Sequence, residues 1–167
     1  MSIKKLINEF DEEIIRAFVQ KNADYYITKW KLMAITDSKI SWNWPAFLFG
    51  GFWLLYRKMY LYFFILFFIS MLTAIPIIGM VISIALWVGL GMYGNFLYGK
   101  FTYEKLVQLK LITSDKEQLK LLASKKGGTS VLAVIIGIVI LLLFLLFGVY
   151  ALSIGTGMTN GSGLEGW

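Results

Sequence analysis

The sequence predicts an all-α integral membrane protein, and three observations support this fold class. Hydrophobic residues make up 58% of the 167-residue chain and charged residues only 16%, whereas soluble domains average about 45–50% apolar and about 25% charged residues. Two long stretches, residues 59–98 and 131–154, carry no charge at all. The 16 Lys and Arg residues lie outside these stretches, in three groups.

Residues 1–40 form an amphipathic helical segment that we expect on the cytoplasmic side. Apolar residues recur at helical spacing from Ile3 to Phe18, and a second helix is predicted from about Ala23 to Ala34. The second helix carries Ala23, Tyr26, Trp30 and Met33 on one face. Such stripes either lie at the headgroup boundary of a membrane or pack on each other or on a partner, and the sequence does not choose between these.

A short helix is predicted at about residues 45–56, directly after Asn43 and Trp44, with Pro45 near its first turn. It spans only about 18 Å, well short of the roughly 30 Å hydrocarbon core. We therefore predict an interfacial or re-entrant helix. The alternative is one long tilted helix that continues through Arg57 and Lys58 with snorkelling cations.

Three spanning helices are predicted at about residues 59–76, 79–98 and 131–154, each near the length that a bilayer requires. Pro76 and Gly79 mark a tight turn between the first two, so that residues 41–98 combine the short helix with a transmembrane hairpin. Residues 99–130 form a basic cytoplasmic loop with helical parts. Gly127 suits the C-terminal cap of the last of these helices. Residues 155–167 form a disordered tail, whose end at Gly161–Trp167 is typical of a tag remnant.

The cations predict the orientation, because Lys and Arg collect on the cytoplasmic flanks of membrane helices. Seven precede Ser41, Arg57 and Lys58 follow the short helix, seven lie at residues 100–126, and none follows Ile154. One topology fits all of them: the N-terminus is cytoplasmic, the short helix does not cross, and the C-terminus lies outside. A net charge of +6 is explained in this way, without nucleic acid as a partner.

The residue types that the sequence lacks exclude several kinds of functional site. The chain has no Cys and no His, so disulfides, thiolate or imidazole metal sites and His-based triads are excluded. The predicted spans contain no ionisable Asp, Glu, Lys or Arg, which argues against a proton relay or a voltage sensor made by this chain alone. We expect no catalytic residue, no cofactor and no metal, and hence not an enzyme.

Two groups of residues are candidates for a functional role. The first flanks the short helix and forms either an interfacial aromatic belt or a lipid-headgroup site in which Arg57 binds phosphate; it consists of Trp42, Asn43, Trp44, Trp53, Tyr56, Arg57 and Lys58. The second has small-xxx-small spacing on the second span and serves either close helix packing or a pore; it consists of Ala85, Gly89, Gly91 and Asn95.

The string from Ser41-Trp42-Asn43-Trp44-Pro45-Ala46-Phe47 through Gly50, Trp53 and Tyr56-Arg57-Lys58-Met59-Tyr60 resembles the hallmark of a family of small bacterial membrane proteins. That family is catalogued only as a domain of unknown function, and the resemblance covers roughly residues 20 to 105. Gly51 departs from the pattern, in which many relatives carry Pro. The resemblance implies a bacterial cytoplasmic membrane location and implies no activity.

Three functions stay open, in this order. The first is a non-enzymatic accessory or assembly subunit that packs against a larger membrane-protein partner. The second is a homo-oligomeric pore or channel with Asn95 and the small residues toward its axis. The third is a lipid-binding or lipid-handling protein. Membrane lipids are expected partners in every case.

Overall fold

The computed structural model describes residues 2–71 and 76–161, with side chains at residues 2–70 and 79–154. Within these residues the fold is all-helical, as predicted, and contains no strand. The described helices are α1 (Ser2–Glu9), α2 (Glu12–Val19), α3 (Ala23–Thr36), α4 (Trp44–Phe49), α5 (Gly51–Tyr56), α6 (Tyr60–Met71), α7 (Pro76–Lys110), α8 (Lys116–Lys126) and α9 (Val131–Gly161).

A helical head forms from α1, α2, α3, α8 and the C-terminal part of α7. The amphipathic N-terminal stretch is two helices, because Asp11 adopts an extended conformation and its carbonyl starts α2 by accepting from the Ile14 and Ile15 amides. The apolar stripes of α1, α2 and α3 are buried in one core with Leu106, Leu109, Leu119 and Ala123. Of the two roles left open for these stripes, the structure shows mutual packing.

The short helix predicted at residues 45–56 is instead a helical hairpin, α4–α5. Gly50 breaks it with φ +51° and ψ −123°, a positive-φ conformation that Gly adopts without a Cβ penalty. The chain reverses there, so that α4 packs along α7 while α5 packs on α6 and on α9. The sequence shows two adjacent glycines at this point but does not show which way the chain turns.

The chain turns again between α5 and α6, so the alternative of one continuous helix through Arg57 and Lys58 is wrong. Lys58 adopts a left-handed conformation with φ +58°. Its amide bonds the Leu55 carbonyl, and the Met59 amide bonds the Leu54 carbonyl, which closes a tight turn. After this turn α6 starts at Tyr60 and runs antiparallel to α5, with Gly51 facing Phe63.

Two segments are long and apolar enough to cross a membrane, Gly79–Lys110 and Lys116–Ile154, and the apolar part of the second is α9. The 12 described residues of α6 form a shorter apolar helix of about 18 Å. The predicted turn at 76–79 differs from the structure, because Pro76 already starts α7, and residues 72–75 lie outside the described residues.

The two longest helices extend beyond their predicted ends. α7 has 35 residues and continues 12 residues past Tyr98 into the head, because Leu106 and Leu109 keep an apolar face there. The predicted basic loop at 99–130 is therefore the end of α7 followed by α8. α9 ends at Gly161 rather than Ile154. The rest of the predicted disordered tail, residues 162–167, lies outside the described residues.

Candidate functional site: the junction between the short hairpin and the head

Asn43 starts α4 and also ties it to α7. Its side-chain oxygen accepts from the Ala46 amide at 3.0 Å, which is the N-cap bond of the helix. Its Nδ2 donates to Asn95 Oδ1 at 2.9 Å, and both side chains are fully buried. The backbone reinforces this bridge, since the Asn43 amide donates to the Gly91 carbonyl at 2.8 Å.

Asn95 lies at the centre of a buried polar network. Its Nδ2 lies within hydrogen-bond distance of the Tyr25 hydroxyl (3.3 Å), the Ser41 hydroxyl (3.1 Å) and the Trp42 carbonyl (3.2 Å). Its backbone carbonyl accepts from Trp30 Nε1 at 2.8 Å. The structure therefore places Asn95 in contacts within its own chain, where it joins α3, the residues before α4, and α7.

The small residues of α7 divide into a closed face and an open face. Gly91 lies against Trp42 and Phe47, and a Cβ on Gly99 would lie 2.7 Å from Trp30 Nε1. The closed face thus lets α4 and the head approach α7 closely. A Cβ on Gly89 would meet nothing within 4 Å, and Ala85 is exposed.

Arg57 is buried between aromatic rings. Its guanidinium carbon lies 4.6 Å from the Tyr26 ring centre and 5.0 Å from the Tyr98 ring centre, within cation–π range. Its terminal nitrogens donate to the Val19 carbonyl at 3.3 Å and the Lys21 carbonyl at 3.0 Å. The side chain is 2% exposed and forms no ion pair among the described residues. A buried cation without a carboxylate is unusual, because desolvation is costly unless the charge is compensated.

The connection from α8 to α9 is fastened at the same place. Lys58 Nζ donates to the Gly127 carbonyl at 2.5 Å, and the Gly128 amide donates to the Phe18 carbonyl at 2.7 Å. The Ser130 amide donates to the Tyr56 carbonyl at 2.9 Å. These bonds tie the connection before α9 to α2 of the head and to the end of α5.

A groove of about 330 Å³ opens between the start of α3, the short hairpin and the first turn of α9. Burial alone would raise the pKa of Tyr56, but hydrogen bonds from Thr129 and Lys21 and the charges of Lys21 and Arg57 outweigh it and lower that pKa. Lys21 and Arg57 line the groove, and no Asp or Glu in the described part of the chain does so, which makes it electropositive. Its walls are formed by Lys21, Asn22, Tyr26, Pro45, Phe49, Phe52, Trp53, Tyr56, Arg57 and Val134.

The seven residues predicted to form an aromatic belt or a lipid-headgroup site lie in three different environments. Trp42 and Asn43 belong to the network around Asn95, whereas Trp44 is 61% exposed on α4. The rest lie at the head end of the hairpin, where Trp53 Nε1 donates to the Tyr26 hydroxyl at 3.3 Å. Arg57 thus contacts the protein rather than solvent, and Lys58 contacts the protein while its side chain stays partly exposed.

Sequence reasoning missed the partners of Arg57 and Asn95. Tyr26 and Tyr98 lie on helices far from Arg57 in the chain, and Lys21 stands out in the sequence only as one of the seven Lys and Arg residues before Ser41. The placement of Tyr26 on the buried face of the second predicted helix, beside Trp30, was the one available signal. Within residues 2–71 and 76–161, no three His, Cys, Asp or Glu residues converge as a metal site would require.

The fold and the junction define a class: an all-helical protein with a compact head and at least two helices of membrane-spanning length and composition. The family model DUF2628, described as a protein of unknown function, matches residues 12–106, which is more than half of the chain. The chain belongs to this family, as its sequence predicted. No curated protein and no solved structure matches the chain.

Proposed function

We propose that the chain is a three-span protein of the bacterial cytoplasmic membrane, with its head and N-terminus in the cytoplasm and its C-terminus outside. The spans are α6, the N-terminal part of α7, and α9. In support, none of the most apolar 18-residue stretch of α9 is buried, and only 22% of that of α7. Such surfaces are stable in lipid, whereas in water dozens of apolar side chains would remain exposed to solvent.

The contacts of α4 support a re-entrant hairpin, one that dips into the membrane and returns. Ala46 faces Gly94, and Phe47 stacks on Trp87 with ring centres 4.8 Å apart. The stretch of α7 from Asn95 to Trp87 rises about 12 Å, less than half of the roughly 30 Å hydrocarbon core. The hairpin tip at Gly50 therefore stops inside the membrane.

In this three-span topology the chain acts as an accessory or assembly subunit and not as a catalyst. The observation that carries this proposal is an apolar cleft of about 600 Å³ between α6 and α9, both of which pack chiefly on α5. Phe63, Phe64 and Phe67 form one wall, and Ala133, Ile136 and Ile140 line the other. The lining is almost entirely apolar and lies between two proposed spans, so the occupant that fits it is an apolar spanning helix of a larger membrane-protein partner.

A homo-oligomeric pore is the second candidate, and the open face of α7 at Ala85 and Gly89 favours it. Asn95 does not contribute to that pore, because its amide group is engaged in hydrogen bonds inside the chain. A pore would have to be lined by the open face instead.

Native mass spectrometry of the protein extracted from its own membrane distinguishes these candidates. A stoichiometric complex with a second membrane protein is expected, and it should be lost in Ile136→Trp, which fills the cleft. The matched control Val149→Trp, on an exposed part of α9 outside the cleft, should keep the complex. A ring of four or more identical copies would favour the pore. A monomer, or a complex that both variants keep, would contradict the proposal.

A further inference from the structure

We propose that the groove at Lys21 and Arg57 binds the phosphate group of an anionic phospholipid from the cytoplasmic leaflet. This site goes beyond the accessory role and does not depend on a protein partner. The volume of about 330 Å³ lies at the lower end of the roughly 300–1,000 Å³ typical of small-molecule sites.

The charges in the groove call for an anion. Lys21 and Arg57 both line it, and no Asp or Glu does so among the described residues. Arg57 is oriented by two backbone carbonyls and two tyrosine rings, so its charge is fixed in place before any ligand arrives. Its Nε is buried without a hydrogen-bond partner. A phosphate beside this cation supplies the negative charge that the fold lacks.

The apolar part of the groove identifies the source of the phosphate. Phe52 lies on α5, Val134 lies in the first turn of α9, and Phe49, beside the hairpin tip, is 61% exposed. The groove therefore leads from cations beside the head to aromatic and aliphatic side chains beside the proposed spans. A free phosphate ion would cover only the cationic end. A phospholipid matches both ends, with its headgroup at Lys21 and its acyl chains along Phe49 and Val134.

Lys21 provides a test that does not endanger the fold, because its side chain is exposed while its carbonyl, which bonds Arg57, is unchanged by substitution. The matched control is Lys125→Gln, which removes the same charge from an exposed lysine of the head that does not line the groove. Both variants alter the overall attraction to anionic membranes equally, so a difference between them reports the groove.

The experiment titrates short-chain phosphatidylglycerol and phosphatidylcholine against the purified full-length chain in detergent, with bound lipid counted by native mass spectrometry. We expect one phosphatidylglycerol to bind more tightly than phosphatidylcholine. Lys21→Gln should weaken it about tenfold, the usual loss for one hydrogen bond to a charged group, and Lys125→Gln should leave it unchanged.

Three outcomes would overturn the proposal. Equal loss in both lysine variants would mean non-specific charge attraction. Equal binding of the two lipids would mean that the site does not distinguish an anionic headgroup from a zwitterionic one. Displacement of the lipid by millimolar inorganic phosphate, with glycerol phosphate equally effective, would mean that the site takes a soluble phosphate and not a lipid.

Discussion

Gly127 lies in the α8–α9 connection directly against the Phe18 backbone, so Gly127→Ala tests how that connection is fastened. An added Cβ would collide with the carbonyl oxygen of Phe18 and would lie 2.7 Å from its carbonyl carbon. Carbon atoms in contact prefer about 3.5–4.0 Å, so the backbone must move by most of an ångström. The φ of Gly127 is −81°, outside the positive range that favours glycine, so the expected cost is the steric collision with Phe18.

The expected cost follows from the hydrogen bonds that such a movement stretches. These are the bonds from Gly128 to Phe18 (2.7 Å), from Lys58 to Gly127 (2.5 Å) and from Gln20 to Ser124 (2.7 Å). At about 0.5–1.5 kcal/mol each, less a gain of about 0.4–1 kcal/mol from the stiffer unfolded chain, the substitution destabilises the head by about 0.5–4 kcal/mol. For a chain of this size, in which 1 kcal/mol shifts Tm by about 2–4 °C, that corresponds to a Tm lower by roughly 1–16 °C.

The assay is thermal unfolding in detergent followed by tryptophan fluorescence, which reports the buried Trp30 and Trp53. Gly148→Ala is the matched control, because a Cβ there meets nothing within 4 Å. A Gly127→Ala protein that unfolds at the same temperature as the Gly148→Ala protein would refute the reasoning.

Three further substitutions test the junction and the head by the same unfolding assay. Asn95→Leu should destabilise by about 2–4 kcal/mol, since it leaves several buried polar groups without partners. Gly99→Ala should destabilise by about 1–2 kcal/mol because the closed face has no room, whereas Gly89→Ala should be neutral or stabilising by up to about 1 kcal/mol. Hydrogen bonds from Lys31 and a neighbouring arginine lower the pKa of Glu12 below its ordinary 4.5, so Glu12→Gln should be less stable than the wild type at pH 7, and the difference should disappear as the pH falls below about 4.5.

Each of these predictions has a clear contrary result. An Asn95→Leu protein as stable as the wild type would mean that the amide network is not formed in the folded protein. Equal effects at Gly99 and Gly89 would remove the distinction between the closed and open faces of α7. A Glu12→Gln difference that grows as the pH falls would reverse the assigned sign of the pKa shift.

Long, uniform features of this fold can be predicted from the sequence, whereas its turns and cross-chain contacts cannot. The charge-free stretches predict α6, the N-terminal part of α7, and α9, because a helix is the form in which an apolar segment satisfies its own backbone in lipid. Asn43 before Trp44 and Pro45 predicts the start of α4, and Gly127 predicts the end of α8. Each of these signals is local.

The contacts that define the junction depend on residues far apart in the sequence. Asn43 and Asn95 are 52 positions apart, and nothing in either neighbourhood marks the other as its partner. Arg57 at a helix end suggests a cation reaching toward water, but the rings of Tyr26 and Tyr98 enclose it instead. The direction of the reversal at Gly50 likewise follows from packing on α7 and not from the glycine itself.

Membrane topology is the central claim, and the chain suits a direct measurement of it because it contains no natural cysteine. Single cysteines at Ser114, Phe49, Thr73 and Ser162 can be probed in intact and opened cells with a maleimide that does not cross membranes. A three-span topology with a re-entrant hairpin predicts labelling of Ser114→Cys only in opened cells and of Thr73→Cys and Ser162→Cys in intact cells, with Phe49→Cys protected in both. Labelling of Phe49→Cys in intact cells would show that the short hairpin reaches the outer surface, and it would contradict the three-span topology with a re-entrant hairpin.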